Sequence, residues 1–158
     1  MFRPMMRAKQ QLPDAECKAI LKQELRGVLS VTGDDGYPYG VPINHYYCEA
    51  DGKLYFHSGK KGHKIDAIRR ADKASFCVYD SGERKDRDWA LYIRSVIVFG
   101  RIEIVEDRDT LLRIAEQLSR KFTDDGDYIR REIERYEQAT LLFALVPEHI
   151  TGKLVHEA

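Results

Sequence analysis

The chain has 158 residues, enough for one ordinary domain with a real core over residues 1–158 and too few for two. Its 26 basic and 26 acidic side chains cancel, which argues against a dedicated nucleic-acid binder, because such proteins draw most of their affinity from a basic excess. A hydrophobic content of 43% and an aromatic content of 10% are globular values and argue against disorder.

In chain order, Asp14 caps a first helix whose apolar stripe is Cys17, Ile20, Leu21 and Leu25, ending by Gly27. Val28–Thr32 reads as a strand, Asp34-Asp-Gly36 as a turn, and Tyr37–Cys48 as the second strand of a hairpin. Pro38 and Pro42 donate no ladder hydrogen bonds, so that strand belongs at an edge or carries a bulge. Asp51-Gly52 turns the chain into Leu54–Ser58, and a helix follows from about Gly62 to Arg70 with Ile65 and Ile68 inward. Ala74–Tyr79 is a further strand, Ser81–Asp88 a charged loop, and Leu91–Val105 a long strand bent at Gly100. Two helices come next, one with Leu111, Ile114, Ala115, Leu118 and Phe122 on a stripe, the other with Ile129, Ile133 and Tyr136. Thr140–Val146 is the closing strand, stopped by Pro147, with Ile150–Val155 a short tail. The expected architecture is α+β, mainly β: a six-stranded antiparallel barrel with peripheral helices.

The longest apolar stretch, Leu141–Val146, is far below the roughly 18 residues of a membrane span, so no membrane association is expected. The N-terminal segment has charge but no apolar run, so no signal peptide is expected. Cys17, Cys48 and Cys77 form no Cys-x-x-Cys pair and read as free thiols of a cytoplasmic protein.

The richest stretch is Lys53-Leu-Tyr-Phe-His-Ser-Gly-Lys-Lys-Gly-His-Lys-Ile-Asp66. A strand runs through a glycine-punctuated turn straight into a helix, and Lys60, Lys61, His63 and Lys64 crowd the junction. Unpaired N–H groups and the positive end of the dipole make a helix start suited to an anion, above all a phosphate. Glycines at 59 and 62 allow close approach. The pattern is not a Walker A loop, for no hydroxyl occupies the magnesium position; a solvated lysine-rich turn is the competing reading. His57 alternates with Tyr55 on one strand face and ends at this junction, as either a hydrogen-bonded core residue or a ligand contact. Asn44 is a polar residue in an apolar strand, where its amide reads a heteroaromatic edge or satisfies a bulge. No set of residues has the spacing of a metal site, and none is expected.

Four segments together resemble the FMN-binding split-barrel (pyridoxamine 5′-phosphate oxidase-like) superfamily, most closely its nitroimidazole-resistance branch. They are Asp35-Gly-Tyr-Pro-Tyr-Gly-Val-Pro-Ile-Asn44; Leu54-Tyr-Phe-His-Ser58 with Lys61-Gly-His-Lys64; Arg94-Ser-Val-Ile-Val-Phe-Gly100; and Ile150-Thr-Gly-Lys153. The resemblance implies a split barrel, a homodimer, and FMN at two sites built from both subunits. It lays Val41, Pro42, Ile43 and Asn44 against the isoalloxazine ring, puts His57, Ser58 and Lys61 at the phosphate and ribityl chain, and aims Ser95 at the ring. His63 and Lys64 belong to the same anion-binding junction. His57 falls on the histidine associated with the active site in that branch and is the candidate catalytic residue.

Two departures bear on activity. Tyr46 stands where the oxidase carries a basic residue for its phosphorylated substrate, and the C-terminal Lys153-Leu-Val-His-Glu-Ala158 lacks the oxidase's Arg-x-His. The resemblance therefore implies an FMN-dependent oxidoreductase acting on a small-molecule electron donor and acceptor, rather than pyridoxamine phosphate oxidation. A flavin carrier or redox sensor without turnover, and a haem-binding relative of the same barrel, are the alternatives.

Overall fold

The computed structural model describes residues 1–157. Helix α1 (Asp14–Gln23) has Pro13, in extended backbone, at its cap, while Asp14 and Glu16 face the positive end of the dipole from its first turn. It stops four residues short of Gly27 and leaves Leu25 exposed; Cys17, Ile20 and Leu21 form the buried stripe. Strands β1 (Arg26–Thr32) and β2 (Pro38–Asn44) make a hairpin about the Asp34–Gly36 turn, pairing Val28 with Pro42 and Arg26 with Asn44. The chain breaks at His45, and β3 (Tyr46–Tyr47) turns back as a hairpin with β4 (Leu54–Gly59). Helix α2 (His63–Arg70), β5 (Lys73–Tyr79), β6 (Glu83–Arg84) and β7 (Leu91–Val105) follow, then α3 (Arg108–Arg120), α4 (Gly126–Tyr136) and β8 (Thr140–Glu157). Asp107 and Asp125 cap α3 and α4, accepting from the N–H groups of Thr110 and Tyr128.

The sheet is antiparallel in the order β2-β1-β5-β7-β8-β4-β3, with β6 paired to β7. Its two ends, β2 and β3, are consecutive in the chain, so the sheet curls into a half-barrel whose edges are joined through His45. This is the α+β, mainly β, antiparallel architecture expected, but the strand count is eight among the described residues rather than six. The difference is local: the expected Tyr37–Cys48 strand is cut at His45, and Glu83–Arg84 forms a short rung inside the charged loop.

A second correction concerns the C-terminal segment. Pro147 does not stop the last strand, and Ile150–Val155 is no separate tail: β8 runs on to Glu157, paired with β7 from Val105 opposite Leu142 to Leu91 opposite Glu157. A bulge between Phe99 and Gly100 drops Glu148 out of the ladder, and Pro147 sits at that bulge, where a missing N–H is tolerated. Gly100 is needed there, since a Cβ would collide with the carbonyl of Val146.

Two cores result from the alternation of β4 and β8. Phe56 packs inside the barrel between Phe76 and Phe143, at ring-centroid distances of 5.1 and 5.3 Å. On the opposite face Tyr55, Leu142 and Ala144 pack beneath Ile114 of α3. The corner at His45 is pinned from both sides. Its Nε2–H donates to the Leu21 carbonyl at 2.7 Å, which leaves Nδ1 bare and, among the described residues, without a partner. Lys121, the cap residue of α3, donates from Nζ to the carbonyls of Glu24 (2.6 Å) and His45 (2.8 Å). Burial lowers the Lys121 pKa to about 8. Burial, and then the Lys121 charge, lower that of His45 to about 4.

His45 is fully buried and its folded pKa lies below the ordinary 6.5, so its contribution to stability is present above about pH 6.5 and is lost as pH falls toward 4. The expected loss is on the order of 3 kcal/mol. Urea unfolding of wild type and His45→Gln across that window should show the wild-type curve falling relative to the variant; parallel curves would disprove the linkage.

Candidate functional site

The alternation of β4 sends Leu54, Phe56 and Ser58 to one face and Tyr55 and His57 to the other, as the sequence predicts. Tyr55 is covered by α3 and donates from its hydroxyl to Asp51 at 2.6 Å. His57, one step nearer the end of the strand and paired with Leu142, lies past that cover. It is open to solvent on one side and walled by protein on the other. Its imidazole pKa is lowered, first by desolvation and then by the Lys64 charge, so the ring is neutral at pH 7.

His57 joins Arg26, Pro42, Ile43 and Asn44 around a cleft of about 310 Å3. Four of these five residues were candidates from the sequence; Arg26 was not. Its signal was present in the hairpin: counting back from the Asp34–Gly36 turn pairs position 26 with position 44. Val41 lies on β2 beside the cleft, half-buried on the barrel side opposite Leu29.

The strand-to-helix junction begins two residues past His57, and its Lys64 acts on the His57 ring, although no junction residue lines the cleft itself. Gly62 caps α2 at φ 121°, a backbone region that favours glycine, and its carbonyl accepts from the N–H groups of Ile65 and Asp66. The N–H groups of His63 and Lys64 therefore precede the first intrahelical bonds. A Cβ at Gly59 or Gly62 would meet nothing within 4 Å, so the turn leaves room against its backbone. Ser58 is half-buried at the strand end, Lys60 and Lys61 are exposed, and Lys64 is half-buried with its pKa lowered by burial. Among the described residues no carboxylate pairs with Arg26, Lys60, Lys61 or Lys64. Arg26 and three lysines thus stand on this side, with Asp66 the acidic residue in the first turn of α2.

Two candidates lie apart from the cleft. His63 turns toward the β1–β2 hairpin, where its ring stacks on Tyr39 (4.1 Å between centroids, 15° between planes) and its Nε2 lies 3.6 Å from Asp34. Ser95 is on β7, opposite Tyr79 and Lys153, with β1 and β5 between it and β2. At ordinary strand spacing that is about 14 Å from β2. It shares, however, the outer sheet face that carries Pro42. The register places Pro42, Val28, Cys77, Ile97 and Thr151 in one row across that face. Ile97, Phe99 and Tyr79 stay 39%, 41% and 60% exposed on it, with Phe2 stacked on Phe99 at 5.7 Å, which leaves an apolar surface partly open. Among the described residues no group of three or more His, Cys, Asp or Glu side chains is gathered to hold a metal ion, and no helix is long and apolar enough to cross a membrane.

An antiparallel half-barrel with outside helices, a cleft on an edge strand and a cationic strand-to-helix turn define the split-barrel class. A family model described as pyridoxamine 5′-phosphate oxidase matches residues 13–154, and the chain belongs to that family. Solved structures share its fold. A candidate 5-nitroimidazole antibiotic resistance protein from Bacteroides thetaiotaomicron is 21% identical, with a TM-score of 0.77 over 93% of this chain and 87% of that one. An FAD-binding protein from Mesorhizobium loti is 24% identical, with a TM-score of 0.66 over 92% and 97%. The FAD and haem binding protein from Mycobacterium smegmatis is 20% identical, with a TM-score of 0.71 over 92% and 73%. A search of curated proteins gives no match.

The electrostatic coupling at the junction is directly measurable. In an NMR titration of the histidine Cε1–H signals, His57 should titrate below the ordinary imidazole range, and Lys64→Met should move it upward. An unmoved His57 would show that Lys64 does not act on it.

Proposed function

We propose that this protein binds FMN and acts as a flavin-dependent oxidoreductase on a small-molecule donor and acceptor. The observation that carries this reading is the junction itself: His57, which lines a cleft with Pro42, Ile43 and Asn44, is followed two residues on by a glycine turn with free N–H groups and lysines without carboxylate partners. The residues present fit the group. The turn Gly59–Lys64 offers two N–H donors and ammonium groups to a phosphate. Strand Val41–Asn44 offers a flat apolar edge ending in an amide for a ring system, and Ser58 a hydroxyl between the two. Bound flavin supplies the electron-transfer chemistry.

The chain's own part is binding, orientation and proton handling. Lys61 and Lys64 hold the negative headgroup. Asn44 and Arg26 present an amide and a cation at the cleft rim. His57, neutral at pH 7, holds or moves a proton at the cleft from either ring nitrogen.

The apolar row Pro42–Val28–Cys77–Ile97 supports a homodimer, with each cleft finished by the second copy. The cleft opens on that same sheet face, and Ser95 lies there about three strands from β2. A second copy laid on this face covers Ile97 and Phe99 and brings its own residues to the cleft.

Two measurements test this. Titrated with FMN, Lys61→Ala and Lys64→Ala should each weaken binding by about 1–3 kcal/mol while riboflavin, which lacks the phosphate, is little affected. A protein that stays colourless in excess FMN defeats the proposal; a Soret band on purification points to haem, and bound flavin without turnover of NADH or NADPH points to a carrier. By sedimentation equilibrium, Ile97→Asp with Phe99→Asp should convert a dimer to a monomer with weakened FMN binding. A wild-type monomer that binds FMN would remove the shared-site reading.

A further inference from the structure

His57 lines two recesses. Besides the cleft it faces a chamber of about 230 Å3 between the α3–α4 hairpin and the outer face of β4 and β8. Leu111, Ala115, Ile133 and Leu142 give this chamber apolar walls; Tyr136 and Glu132 stand on the α4 side. The chamber is open to solvent on one side, with His57 and Tyr136 exposed at its mouth and Leu142 buried at its base. An apolar cavity of roughly 150 Å3 is already enough to hold benzene.

The charge on its walls is opposite to that of the cleft. No Lys or Arg lines the chamber, whereas Glu132 and Glu137 do. Glu137 is paired with Arg108 at 3.0 Å, and among the described residues Glu132 pairs with no cation. An anion entering here meets a carboxylate and no counter-charge; an uncharged or cationic ring meets aliphatic walls and the face or edge of a neutral imidazole.

We propose that the chamber beneath the α3–α4 hairpin is a binding site for a small aromatic molecule without negative charge, which reaches His57 from the side opposite the cleft. Its assignment as the place of the electron donor or acceptor rests on the flavin reading; its occupancy does not. Anions are sorted to one side of His57 and uncharged rings to the other, so a single imidazole contacts both.

Indole and its anionic analogue indole-3-acetate are suitable probes, followed by methyl NMR on the flavin-free and the FMN-treated protein. Indole should shift the methyl signals of Leu111, Ile133 and Leu142 in both forms, and indole-3-acetate should bind at least about tenfold more weakly. Ala115→Leu, which fills the chamber, should weaken indole at least about tenfold and leave FMN uptake unchanged. Ala115→Met serves the same purpose if the leucine variant does not fold. Unmoved methyls at saturating indole, indifference to the filling variants, or equal binding of the two probes would each overturn the proposal. Indole bound in a protein that takes no FMN sinks the flavin reading and leaves the chamber standing; FMN bound with the chamber silent does the reverse.

Discussion

One half-buried ammonium group holds the working parts together. Lys121 leaves the end of α3 and donates to the carbonyls of Glu24 and His45, at the point where the sheet has no ladder between its two edges. Those carbonyls lie where a closed barrel would supply strand partners, and without the lysine they would be left unpaired at a cost of about 1–3 kcal/mol for each buried group. The contact fixes three things at once. It sets the corner after Asn44, it adds its charge to the burial that keeps His45 neutral, and it anchors the helix that roofs Tyr55. The cleft and the chamber flank His57 because both are referenced to this corner.

The protein's neutrality conceals a strong local asymmetry. Several acidic side chains are held in pairs by arginines that do not line the cleft: Asp72 and Glu148 on Arg101, Asp34 on Arg70, Glu116 on Arg120, Glu137 on Arg108. The cations at positions 26, 60, 61 and 64 are left without such partners among the described residues. Net charge speaks to non-specific adhesion rather than to sites, so a zero sum is compatible with a field strong enough to hold a phosphate.

Much of the fold was legible because the strands alternate cleanly and the turns carry Gly and Asp where the backbone needs them. The run Leu54–Gly59 gave its own face assignment, and Gly62 at φ 121° confirmed the sharp entry into α2. What failed did so for tertiary reasons. Pro147 reads as a strand stop, but a bulge in the partner register absorbs it. Tyr37–Cys48 reads as one strand, yet the His45 ring is buried against Phe76 at 4.8 Å and the strand is broken there. Lys121 gives no local sign of burial, because its acceptors are 76 and 97 residues away. The strand, glycine turn and helix of the junction were readable, though not the turn of His63 toward Tyr39 and Asp34, whereas the chamber depends on how two helices lean on a sheet, which no spacing in the chain encodes.

The edge strand β2 carries prolines at both 38 and 42, each opposite a β1 residue and each lacking an N–H. An exposed strand is ordinarily a template on which another chain can zip, and a continuous row of donors is what makes the zipper. With that row interrupted twice in seven residues, growth of intermolecular cross-β structure from this rim is blocked, even though the neighbouring sheet surface is greasy. Strand-on-strand pairing along this rim is thereby disfavoured, whatever else meets the sheet face beside it.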